Sequence, residues 1–140
     1  DVWDTEHYSY ILTWCNIISN SDSRYWNVWL IKYRGRVIGI CGLYSLNKRT
    51  KELWGGWGGF VPEHRNKGFG NKMLRFREKQ AKKLKCEVLK TYVGYGNRAL
   101  RFFQKNGFNL LCNVKRFLKK HPNLKKDFGD GDDWILFKKI

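Results

Sequence analysis

One segment constrains the fold more than any other: Gly59 to Gly70, reading G-F-V-P-E-H-R-N-K-G-F-G. It begins as the end of an apolar strand, turns at Pro62, and runs through Arg65-Asn66-Lys67-Gly68-Phe69-Gly70 into a helix. A chain with this order contains a strand followed at once by a fresh helix N-terminus beside a glycine-bearing loop. The amides of the first helical turn and the positive end of the helix dipole then face one point, where an anion would sit. Glycine permits the tight turn and lets a phosphate come close to the backbone. Neither G-x-G-x-x-G nor G-x-x-x-x-G-K-[S/T] fits the segment, so it is neither a dinucleotide fingerprint nor a Walker loop.

Around this unit the pattern predicts alternating strands and helices. Tyr8 to Ile18 is densely apolar and reads as a helix, with a polar turn over Asn20 to Arg24. Trp29 to Tyr33 and Arg36 to Leu43 form a hairpin around Arg34-Gly35. Glu52 to Val61 is the next strand. Its W-G-G-W-G-G core is unusual, since glycine weakens a strand; either the strand bulges or something approaches its backbone. Gly68 to Leu84 is a helix with Phe69, Met73, Phe76, Gln80 and Leu84 on one face. Cys86 to Val93 is a strand and Asn97 to Lys105 a short helix, with Gly107 as its C-terminal cap. Phe108 to Val114 and Trp134 to Lys138 read as closing strands.

Composition narrows the class. The 140 residues suit a single domain over 1–140, with no linker-like stretch and no repeat. No apolar run approaches the roughly eighteen residues of a membrane span, and no signal-like segment begins the chain, so no membrane association is expected. Cys15, Cys41, Cys86 and Cys112 are scattered and read as buried free thiols, giving no metal site. The expected location is cytoplasmic, with the nucleus left open. The formal charge of +16 draws anions without naming them: coenzyme, nucleic acid, ribonucleoprotein or acidic protein.

Two segments carry a resemblance to a known family. R-x-x-G-x-G over Arg65 to Gly70, after V-P-E, resembles the acyl-coenzyme-A loop of the GNAT acyltransferase superfamily. R-A-L-R-F-F-Q-K-N-G-F, from Arg98 to Phe108, is similar to that family's RA-x-x-F-Y-x-K-x-G-F segment. The resemblance spans Trp29 to Phe108, with the usual N-terminal strand and helices shortened. It implies a mixed α/β (α+β) fold: a central, partly splayed mixed sheet flanked by helices, its halves separating where the coenzyme enters. It also implies that the glycine-rich strand pairs with the pantetheine arm. The amides of Asn66, Lys67, Gly68, Phe69 and Gly70 then form a pyrophosphate cradle. The side chains of Arg65 and Lys67 either assist or are solvent-facing cations.

Acyl transfer to an amine needs a neutral nucleophile, donors for the oxyanion and a tolerable thiolate leaving group. Oxyanion donors are expected at the amides of Phe60 and Val61. Glu52 is the nominated base, acting through water from the side of the strand that carries Trp54; a plain surface glutamate is the competing reading. The family's glutamate falls nearer Trp54. His64 is a further titratable candidate, read as solvent-facing. Phe103 stands where the family carries a tyrosine that protonates the thiolate, and phenylalanine has no proton to give. Water, Tyr92 or Tyr95 would substitute, with Tyr95 nominated. Gly96 occupies a frequent asparagine position, so Asn97 beside it is taken as a coenzyme contact. Lys115 to Lys126 is strongly basic and Asp127, Asp130, Asp132 and Asp133 form an acidic turn, together read as a solvated loop; the alternative that the resemblance implies has the aspartates holding a cationic amine and the basic run touching a polyanion.

The expected activity is transfer of acetyl from acetyl-CoA to a primary amine by direct attack. The acceptor is a protein, another macromolecule or a small molecule. The alternative is a catalytically weak protein that binds acyl-CoA or nucleic acid on the same fold.

Overall fold

The computed structural model describes residues 4–7, 25–93, 98–127 and 133–140. Its strands are β1 (Asp4–His7), β2 (Trp26–Tyr33), β3 (Arg36–Tyr44), β4 (Glu52–Phe60), β5 (Val88–Val93), β6 (Asn109–Asn113) and β7 (Trp134–Lys139). The α-helices are α1 (Phe69–Lys83), α2 (Ala99–Lys105) and α3 (Val114–Lys120), with 3-10 turns at Pro62–His64 and Pro122–Asp127. The expected Tyr8 to Ile18 helix and the Asn20 to Arg24 turn lie outside the described residues.

All seven strands join one sheet in the order β1-β2-β3-β4-β5-β7-β6. Only β4 and β5 run parallel; the other neighbours are antiparallel. The β2–β3 turn takes Arg34 and Gly35 to φ of 51° and 75°. Two successive left-handed residues match the right-handed twist of the flanking strands, which is why a two-residue hairpin forms there. β1 went unrecognised in the sequence, where D-T-E-H offers no apolar alternation; it pairs with β2 from Asp4↔Lys32 to His7↔Trp29.

The sheet opens in its middle. β4 and β5 pair only over Glu52↔Val88, Leu53↔Leu89 and Trp54↔Lys90, after which no ladder joins them. On its other side β4 stays with β3 as far as Gly39↔Phe60, with a register shift between Ile40 and Gly42. One residue of β3 there, Cys41, stands opposite two of β4, Trp57 and Gly58, so the glycine-rich strand bulges, as its composition allowed. This is the splayed sheet that the resemblance implied.

Each face of the sheet has its own core. α1 and α2 cover one face through Phe69, Met73, Leu74, Ala81 and Phe103, packed on Ile31, Ile38, Leu43, Leu53, Leu89 and Leu136. The opposite face holds Tyr44, Trp54, Val114, Phe117, Leu124 and Ile135. The basic run therefore differs from the loop expected for it. Asn113 caps α3, its Oδ1 accepting from the Arg116 amide at 2.8 Å. Val114 and Phe117, three apart, turn inward, while Lys115, Arg116, Lys119 and Lys120 stay exposed.

Candidate functional site

The strand-to-helix unit is built as the residue order requires. Phe60 ends β4, Pro62 opens the 3-10 turn, and Arg65 folds back so that its Nε donates to the Phe60 carbonyl at 2.9 Å. Asn66 and Gly68 follow with φ of 59° and 84°. Gly68 is the N-cap of α1, and a Cβ built there meets nothing within 4 Å, so its left-handed backbone faces open space. No side chain caps the helix and its first turn carries no acid. The Lys72 amide makes the first bond back, to the Gly68 carbonyl at 3.3 Å. The amides ahead of that bond have no acceptor within the helix, the arrangement that receives anions. Lys67 is exposed beside them.

Gly70, also assigned to the cradle, has a different neighbour. A Cβ there would lie 3.0 Å from Phe102 Cζ, so its missing side chain admits the ring of α2 against α1. Phe69 is buried and packs against Tyr33 and Phe60. His64 departs from the solvent-facing role expected of it. Its ring lies against Tyr33 and Phe69, and its Nδ1 is buried without a hydrogen bond.

Of the expected oxyanion donors, Val61 is corrected by the hydrogen-bond pattern: its amide donates to the Ile38 carbonyl at 2.8 Å. Phe60 pairs across from Gly39 at the end of the β3–β4 ladder. Glu52 sits at the closed end of the opening, ion-paired with Lys90. Eight residues of strand, roughly 25 Å at about 3.3 Å each, separate it from Phe60, so Glu52 and the cradle occupy opposite ends of β4. Tyr95 and Asn97 lie outside the described residues. Tyr92 packs with the Trp54–Phe117 core, on the sheet face away from α1.

Two residues missed in the sequence hold the opening. Thr91, 4 % exposed, donates its hydroxyl to the Gly55 carbonyl at 3.4 Å, just past the last β4–β5 pair. Arg77, also 4 % exposed, donates Nη2 to the Gly56 carbonyl at 2.7 Å. A Cβ at Gly55 would lie 2.8 Å from Arg77 Nη1, and one at Gly58 2.7 Å from Nη2. These two glycines are therefore where a buried guanidinium passes beneath the strand. The available signal was spacing: Phe69, Met73, Arg77 and Ala81 recur every four residues along the buried stripe of α1.

Between α1, α2 and the parted strands lies a small cleft, open to solvent, lined by Gly55, Arg77, Glu78, Thr91, Phe103 and Asn106 among others. Phe103 presents a buried ring there. Desolvation pushes the Glu78 carboxyl up, but hydrogen bonds from Lys138 and Lys82, with their charges, outweigh it and hold the group below its ordinary value. Stability from this depressed group is present above the ordinary carboxyl value and is lost as pH falls through the lowered one. Glu78→Gln is expected to make the acid limb of a stability–pH curve shallower, measured by urea unfolding between neutral and acid pH. An unchanged limb would contradict the pairing. Burial pushes the Cys41 thiol up to about 11, against the opposing effects of Arg77's charge and hydrogen bond. Cys41 is thus a protonated core thiol at neutral pH and a poor nucleophile.

The acetyltransferase (GNAT) family model matches residues 1–108. A GNAT family acetyltransferase from Elizabethkingia anophelis, solved with acetyl-CoA bound, superposes with a TM-score of 0.75 at 19% identity, covering 100% of this chain and 99% of that one. The IAA acetyltransferase from Bacillus cereus ATCC 14579 gives 0.70 at 20% identity, covering 99% of both chains. The PaiA N-acetyltransferase from Thermoplasma acidophilum, in complex with coenzyme A, gives 0.64 at 23% identity over 89% of this chain and 65% of that one. At these identities the likeness is one of fold. No curated protein matches the chain.

Proposed function

This chain belongs to the acetyltransferase (GNAT) family, and from that membership we propose that it transfers the acetyl group of acetyl-CoA to a primary amine by direct attack. The observation that carries the reading is the parting of β4 from β5 beyond Trp54↔Lys90, with the uncapped start of α1 at the far end of the same strand. That geometry offers an extended arm a strand edge to lie against and a phosphate a set of amides to meet. Gly68 and Gly59 support it, since a Cβ at either position would meet nothing within 4 Å. The amides of Asn66 through Gly70, with Arg65 and Lys67 beside them, are the proposed pyrophosphate contacts, and the Phe60 amide, at the same end of β4, is a proposed contact to the coenzyme arm. Direct attack suits a protein whose buried Cys41 is held as a thiol.

Glu52, ion-paired with Lys90, remains the proposed base, relayed through water, and Tyr95 and Asn97 remain proposed contacts near the thioester. The acceptor is proposed to be an amine on a protein or another macromolecule, the +16 charge favouring a partner with acidic surface. The buried ring of Phe103, which has no proton to offer, favours a second reading: a module that binds acyl-CoA but turns it over weakly.

Titration calorimetry with acetyl-CoA, followed by thiol release against amines, peptides and nucleic acids, separates the two. Binding with acceptor-dependent release is expected; binding without release from any acceptor would favour the weak module. Gly68→Val is expected to weaken acetyl-CoA at least about tenfold. It removes the left-handed backbone at a cost of roughly 1–2 kcal/mol and places a side chain where the phosphate would sit. Unchanged affinity in a folded Gly68→Val protein would overturn the cradle.

A further inference from the structure

We propose that Arg77 stabilises the negative charge left on the coenzyme sulfur when the thioester breaks, so that a buried permanent cation serves where Phe103 offers no proton. The inference rests on the acyl-transfer reading above and extends it to the leaving group.

A guanidinium taken out of water loses its hydration, and proteins normally return it with a carboxylate partner. Arg77 is 4 % exposed, and among the described residues no carboxylate pairs with it. Among the described residues its bonds are to the Gly56 carbonyl and the weakly polar Cys41 thiol, and its Nε has no partner. Burial lowers its pKa, with Cys41 and Tyr44 opposing the shift. Gly55 and Gly58 leave the room that the group occupies. A buried charge kept without a carboxylate partner against a solvent-open cleft is a candidate functional group.

The surrounding charges leave its field standing. From β3, Cys41 is protonated at neutral pH. From α1 and β7, the Glu78 carboxylate is taken up by Lys82 and Lys138. From β5, Thr91 contributes a neutral hydroxyl directed at Gly55. Arg77 lines the cleft together with Phe103.

The chemistry balances without an acid. The amine nitrogen bonds to the carbonyl carbon, the C–S bond breaks, and its electron pair stays on sulfur. The surplus proton leaves the nitrogen for the base or water, and the thiolate takes a proton from solvent after release. In a low-dielectric cleft an opposite charge lowers the energy of that thiolate far more than it would in water.

The test reads the thiol directly. Coenzyme A bound to the full chain is titrated with pH while thiolate absorbance is followed in the ultraviolet, with the desulfo-coenzyme complex as blank. The native protein is expected to ionise the bound thiol about tenfold more readily than in free coenzyme A, roughly one pH unit lower. Arg77→Gln keeps a donor for the Gly56 carbonyl but removes the charge, and is expected to abolish the shift. Arg77→Lys is expected to retain most of it. A native complex whose thiol titrates like free coenzyme A overturns the inference and leaves the transferase reading intact, as does an Arg77→Gln complex that keeps the full shift. Failure of the native protein to bind coenzyme A overturns both. If Arg77→Gln does not fold, the native shift and its retention in Arg77→Lys decide the matter.

Discussion

Trp54→Ala is expected to lower the unfolding free energy by about 3–5 kcal/mol, a large share of the total for a domain of this size. Trp54 is 1 % exposed and stacks on Tyr44 at 6.5 Å and 20° between planes. Phe117 of α3 meets its ring edgewise at 5.8 Å, and Lys90 Nζ lies 5.7 Å from its centroid. Trp54 also makes the last β4–β5 pair before the strands separate. Truncation therefore opens a cavity beneath α3 and slackens the closed end of the cleft together. Equilibrium urea unfolding measures the loss. Trp54→Phe, which keeps a ring in place, is expected to recover much of it. A loss under about 1 kcal/mol for the alanine variant would mean that the second core contributes little.

Gly58→Ala and Gly59→Ala are expected to behave differently although the residues are adjacent and chemically identical. A methyl at position 58 would lie 2.7 Å from Arg77 Nη2 and 3.2 Å from Met73 Cε, whereas one at position 59 meets nothing within 4 Å. The guanidinium is 4 % exposed and held to the Gly56 carbonyl, so making way for a methyl strains or breaks that bond. Gly58→Ala is expected to cost about 1–3 kcal/mol, as overpacking does, and Gly59→Ala less than about 0.5 kcal/mol. The backbone-entropy term of a Gly→Ala change is common to both variants, so their difference isolates the clash. Equal thermal and urea stabilities for the two would remove the account of the glycine-rich strand.

That strand shows where sequence reading stops. W-G-G-W-G-G announced a bulge or a close approach, and the bulge is there. What the glycines admit was not legible: Arg77 at Gly55 and Gly58, and the Tyr44 ring, whose Cε1 would lie 2.9 Å from a Cβ at Gly56. Gly70 carries the same lesson: beyond the phosphate contact proposed for its amide, its missing side chain makes room for Phe102. In each case the residue that explains the glycine lies in another element, and no local pattern names it.

α3 was missed for a related reason. Taken alone, K-R-F-L-K-K-H reads as a charged loop, because two apolar residues among so many cations make no stripe. Its helix forms because Val114 and Phe117 find Trp54 and Ile135 beneath them and Asn113 supplies the cap. Tertiary burial outweighs a weak local preference.

By itself the sequence determined the hairpin at Arg34-Gly35, the strand and helix on either side of Pro62, and the left-handed start of α1 at Gly68. All of these depend on residues close along the chain, where periodicity and backbone sterics act directly. Only the tertiary structure decided where β4 leaves β5, which carbonyls Thr91 and Arg77 hold beyond that point, and that the Val61 amide is already bound to Ile38. Those outcomes depend on groups brought together from distant parts of the chain, whose meeting is set by burial and by the need to satisfy every polar group that burial covers.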